Sequence, residues 1–147
     1  MSIDRRRLYE IVMEKLQEVS KEPLYPYMIY LVSKVIFNEP TKGCHYKGNR
    51  HDWEGLPQSK SLFYSASGCG LPIGNLTSQL FSNIYLNRLD QFVKRVLGCR
   101  HYGRYVDDFY FVDRSPEHLL SYVEPIRRFL KEDLHLTLHP RKIWLQE

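Results

Sequence analysis

Cysteine is sparse. Cys44, Cys69 and Cys99 are odd in number and far apart, which argues against a disulfide framework and fits a reducing compartment. Cys44, His45 and His51 lie close together, but no C-x₂-C pair accompanies them, so the usual ligand spacing of a zinc site is missing. No apolar run approaches the roughly 20 residues that cross a bilayer. The basic N-terminus runs into an amphipathic pattern without a signal-peptide core. A cytoplasmic protein with no membrane partner is expected. Charge excess is small too: Lys plus Arg exceed Asp plus Glu by 21 to 17, a net +4 that suits a polyanion partner without requiring one. What the chain does have is 11 tyrosines and enough apolar residues among 147 for one modest core, and one globular unit is expected.

The apolar positions predict the elements. Leu8, Ile11, Val12, Leu16 and Val19 fall at helical spacing, with Ser2 or Asp4 able to cap. Arg5, Arg6 and Arg7 oppose the dipole of that helix, so they read as a solvated face or as phosphate contacts. Pro26 suits the first turn of a second helix that ends before Pro40; its Tyr27–Val32 run is apolar nearly all round and is expected to be core. From Thr41 to Lys60 periodicity disappears amid glycines, basic residues, Tyr46 and Trp53, which suggests a mobile segment lying along nucleic acid. Leu62-Phe63-Tyr64 reads as a short strand, followed by a turn-rich segment with Gly68, Gly70, Pro72 and Gly74. The clearest helix runs through Leu80, Phe81, Ile84, Leu89, Phe92 and Val96 to a cap at Gly98. Its N-terminus at Thr77, Ser78 and Gln79 is suited to an anion such as a triphosphate, or is a capped turn and nothing more. Ser115-Pro116 starts another helix that Pro125 kinks or splits. Leu134, Leu136 and Leu138 alternate as a strand, with Ile143-Trp144-Leu145 as its partner.

The stretch between the third helix and Ser115 organises the rest. From His101 to Val112, two runs of aromatic and β-branched residues flank the adjacent pair Asp107-Asp108, a hairpin pattern with the acids at its tip. Two like charges ~4 Å apart repel by roughly 4 kcal/mol at an effective dielectric near 20. Protonation, solvation or a bound cation relieves that repulsion, and a hard divalent ion such as Mg²⁺ takes carboxylate oxygens while keeping places for phosphate and water. Ordinary solvated turn aspartates are the alternative.

In order and spacing, Gly70 to Gln79, the helix after it, Tyr105-Val106-Asp107-Asp108 and the following helix-strand pattern resemble palm motifs B, C and D of bacterial reverse transcriptases. Ile73-Gly74-Asn75-Leu76-Thr77-Ser78-Gln79 looks most like the enzymes of diversity-generating retroelements; group II intron and retroviral relatives usually carry Gln where this chain has Ile73, and many carry Pro where it has Gln79. The resemblance implies an α+β, palm-like fold with a small antiparallel sheet and helices packed on one face. It implies an RNA-directed DNA polymerase, a nucleotidyltransferase that adds deoxynucleotides to a DNA primer on an RNA template with Mg²⁺ or Mn²⁺. RNA template, DNA primer and deoxynucleoside triphosphates are then its partners, with room for an accessory protein.

Residue by residue, Asp107 and Asp108 would be metal-binding and catalytic, and Tyr105 would brace the turn and primer end. Gly74 and Asn75 would lie beneath the nucleotide and template base, and Ile73 stands where a polar residue would otherwise contact the nucleotide, a position linked in this family to relaxed fidelity. Ser78 and Gln79 would open the motif B helix. Lys142 falls near the motif D lysine that protonates pyrophosphate as it leaves, or is a surface lysine after a proline turn. Ser2-Ile3-Asp4 looks like the tail of motif A, so the aspartate of that motif is expected upstream of Met1. The chain then reads as a palm-centred fragment without the first palm strand, most of the fingers and the thumb, inactive alone and prone to self-association through an open strand edge. Two alternatives stand beside this reading: a nucleic-acid-binding or antiphage module that keeps a palm without synthesis, and an intron maturase.

Overall fold

Asp4 starts the first helix. Its Oδ1 accepts the amides of Arg6 (2.9 Å) and Arg7 (3.1 Å), an N-cap that satisfies two of the donors a helix start leaves unpaired. The computed structural model, which describes residues 2–45, 47–55, 57–58, 61–72 and 74–146, runs α1 over Arg5–Leu16 and α2 over Tyr25–Ile36. Two compact units divide the chain, Ser2–Ser78 and Gln79–Glu147.

In the first unit Leu8, Ile11 and Val12 form the buried stripe of α1, and the rings of Tyr9 and Phe37 meet at 5.3 Å beside α2. Arg5 corrects the expectation of a solvated or phosphate-binding arginine. It is buried, and its guanidinium donates to the carbonyls of Gly70 (2.7 Å) and Asn38 (2.9 Å), so its charge satisfies loop backbone that helices leave open. The antiparallel bridge between Asp4 and Cys69, with the Gly70 amide on the Ile3 carbonyl at 2.8 Å, ties the same loop to the N-terminus.

Two further expectations fail here. The second helix is not core: α1 packs against it, yet of α2 only Ile36 is buried, while Tyr27, Tyr30, Leu31 and Val35 lie on sides left exposed. Leu62–Tyr64 is a single 3₁₀ turn rather than a strand. Ser61 accepts the amide of Phe63 and closes the turn locally, so those backbone groups are not offered to a neighbouring strand. In the basic loop, Arg50–Trp53 forms another short 3₁₀ helix, whose Asp52 accepts the Asn49 amide at 2.8 Å; Tyr46 and Lys60 lie outside the described residues.

The second unit is built on α3, Leu76–Gln91, whose first residues belong to the first unit, and on the wide π-type turn Phe92–Val96 that continues it. Gly98, at φ 66°, ends the run in the left-handed conformation that glycine adopts without penalty. Tyr85, Leu89 and Val93 are fully buried with Ile126 and Leu134. The Tyr85 hydroxyl donates to the Leu134 carbonyl at 2.6 Å, so the one polar atom of that core tyrosine has a partner. Pro125 splits its helix as expected: α4 is Pro116–Ser121 and α5 is Val123–Glu132, with Phe92 and Phe129 stacked at 4.2 Å.

Strand β1, Tyr102–Tyr105, pairs antiparallel with β2, Asp108–Phe111, in a two-stranded sheet. The fold is therefore mixed helix and antiparallel sheet, of the α+β class. The second strand pair does not form. His135 takes φ 49° and the Leu136 amide returns to the Leu130 carbonyl at 2.8 Å, so this segment finishes α5 instead of entering a ladder. Residues Pro140–Lys142 form a 3₁₀ turn, and no strand is found from 134 to 146. No helix of the described residues is long and apolar enough to cross a membrane.

Candidate functional site

The hairpin places the acids. Its register sets Tyr102 against Phe111, Gly103 against Tyr110, Arg104 against Phe109 and Tyr105 against Asp108, leaving Val106-Asp107 as the connection. Residues directly opposite share a face, so Tyr102, Arg104, Phe109 and Phe111 form one face, and Gly103, Tyr105, Asp108 and Tyr110 the other. The first is the helix side: the Tyr102 hydroxyl bonds Asp90 of α3, and the Phe111 ring lies 5.6 Å from that of Tyr122. On the other face Tyr110 covers Gly103, where a Cβ would overlap its ring.

Val106 adopts φ 57°, and of the two turn residues it alone has a positive φ. That is the pattern of a type II′ connection, which glycine ordinarily opens. A β-branched residue is held there by Arg104. Its Nε and Nη2 donate to Asp90 Oδ1 (2.9 Å) and Oδ2 (2.8 Å), and its Nη1 donates to the Val106 carbonyl (2.6 Å) and to Asn83 Oδ1 (3.2 Å). Burial pushes the Asp90 carboxyl up, but the hydrogen bonds from Arg104 and Tyr102 and the charges of Arg104 and Lys94 outweigh it, so the group sits below the usual aspartate value. Burial first, and then the Asp90 bond, push the Tyr102 phenol well above its own.

Asp107 and Asp108 are exposed, and among the described residues no basic side chain pairs with either. Both line a groove of about 1060 Å³ that also receives Lys142, with Phe109, Ile126, Leu136 and Trp144 among its apolar walls. Every residue from Asp107 to Phe111 contributes, so β2 presents an edge, not a face, to this space. Residues 34 positions apart in sequence thus share one cavity.

The other candidates are placed separately. Tyr105 is 80% exposed at the end of β1. Gly74, at φ 92°, and Asn75 are exposed before α3; the Ser78 amide bonds the Asn75 carbonyl at 3.1 Å, and Gln79 is exposed in the first turn. Gly74, Asn75 and Ser78 fall in the first unit and Gln79 in the second. Ile73 lies outside the described residues. Two adjacent carboxylates on an open turn suit a hard divalent cation as donors. Among the described residues no group of three acidic, His or Cys side chains is placed to hold a metal ion.

No family model matches the chain, and no curated protein matches its sequence. The Arg104, Asp90, Asn83 and Tyr102 network escaped the sequence reading. Its trace was an arginine amid aromatic strand residues, together with Asn83 and Asp90 two helical turns apart on one face of α3.

Proposed function

We propose that this chain is the palm portion of an RNA-directed DNA polymerase of the diversity-generating retroelement type. One observation supports the reading above the others: Asp107, Asp108 and Lys142, which motif order selects from separate parts of the sequence, line one groove. The hairpin with helices on one face suits a palm-like fold. On this reading Asp107 and Asp108 hold Mg²⁺ or Mn²⁺, which supplies charge neutralisation for a primer hydroxyl and a triphosphate. Lys142 donates a proton at the leaving pyrophosphate, Tyr105 braces the primer end, and Gly74, Asn75, Ser78 and Gln79 contact nucleotide and template. The basic loop from 41 to 60 follows the nucleic acid.

A two-metal site needs carboxylates on two strands. Asp4 is not the second source, because its side chain caps α1. The active form therefore includes a further strand that carries an aspartate, and the chain by itself is expected to be inactive.

Primer extension on an RNA template tests this, using a protein that joins this chain to such a strand. Synthesis is expected to require Mg²⁺ or Mn²⁺ and to fall at least about a hundredfold in Asp107→Ala. Lys142→Ala should slow the chemical step by roughly a hundredfold with the metal requirement unchanged. Synthesis retained in Asp107→Ala would remove the acid pair from the site.

A further inference from the structure

The conformation of the acid turn is set by a side chain that is not itself an acid. Arg104 is only 11% exposed, and its fork reaches three places at once: both oxygens of Asp90, the amide oxygen of Asn83, and the carbonyl of Val106, the residue immediately before Asp107. Asp90 is held in turn by the Tyr102 hydroxyl at 2.7 Å. An arginine beside two aspartates would ordinarily pair with them and exclude a cation. Here Asp90 takes the bidentate face of the guanidinium, and Nη1 bonds the turn backbone through the Val106 carbonyl.

We propose that Arg104, anchored by Asp90 and Asn83, is the positioning residue that sets the Val106-Asp107-Asp108 turn for divalent-cation binding. The inference rests on the reading of that turn as a cation site. It makes a prediction opposite in sign to simple electrostatics. Removing a positive charge near a cation site should tighten cation binding, whereas loss of a positioning bond should weaken it.

Mn²⁺ titration of the chain followed by electron paramagnetic resonance separates these cases, with circular dichroism recording that each variant is folded. Arg104→Ala is expected to weaken Mn²⁺ binding by about tenfold or more, the range seen when partners of metal ligands are removed. Arg104→Lys keeps the charge but not the fork, and is expected to weaken it as well. Asn83→Ala, which removes one outer bond and leaves Asp90 in place, should give a smaller loss. Tyr85→Phe removes the 2.6 Å bond to Leu134 in the core and serves as a stability control, with Mn²⁺ affinity unchanged. Wild-type or tighter binding in Arg104→Ala and Arg104→Lys, with binding abolished in Asp107→Ala, overturns the role of Arg104 alone. Wild-type binding in Asp107→Ala overturns the cation site itself.

Discussion

A β-branched side chain in the left-handed region costs about 1–2 kcal/mol, and Val106 pays that cost at φ 57° beside the acids. Such strain persists only where the surroundings hold it, and the Arg104 bond to its carbonyl is what holds it here. Val106→Gly should therefore raise stability by roughly 1 kcal/mol, read as an increase in midpoint on urea unfolding. Asp90 gives a second test. Its folded pKa lies below the unfolded value, so the unfolded chain binds the extra proton and stability rises with pH between the two. The contribution is complete above the ordinary aspartate range, about pH 4, and is lost as pH falls through the lowered folded value. Urea unfolding across pH 2–6 should show that acid slope in the wild type and a flatter one in Asp90→Asn. The hairpin that carries the acid pair was legible because its strand and turn residues are neighbours in sequence. Arg104 was not, since its role depends on Asn83 and Asp90 coming from another element.

Elements announced by local chemistry formed where the sequence placed them. Asp4 caps α1, and Ser115 caps α4 by accepting the His118 amide at 3.2 Å, with Pro116 in the first turn. Ser115→Ala should cost about 1 kcal/mol, visible as a lowered thermal midpoint, while leaving cation binding at the hairpin unaltered. Elements that need a distant partner were not legible. Leu134 and Leu136 are buried and His135 is exposed, so the alternation expected of a strand is real, yet the segment closes onto Leu130 and forms no ladder. Alternation reports a half-buried extended segment, not a hydrogen-bonded neighbour. The β1 to β2 hairpin differs because its partner is supplied two residues away.

Across the assembled chain, apolar surface is left uncovered in both units. In the first, α2 exposes Tyr27, Tyr30, Leu31 and Val35; in the second, β2 turns an edge toward an apolar-walled groove. The apolar run of α2 announced hydrophobicity correctly and burial incorrectly, because burial depends on what packs against a helix as well as on its composition. Open strand edges and apolar patches favour association. Light scattering should show mass rising with concentration, and a strict monomer at high concentration would contradict this. All of the functional reading depends on the hairpin acids receiving a divalent ion, and Mn²⁺-induced broadening of the backbone amide resonances observes that event directly. Broadening is expected first at Tyr105 to Phe109 and lost in Asp107→Ala with Asp108→Ala; broadening centred elsewhere, or unchanged in that double variant, would contradict it.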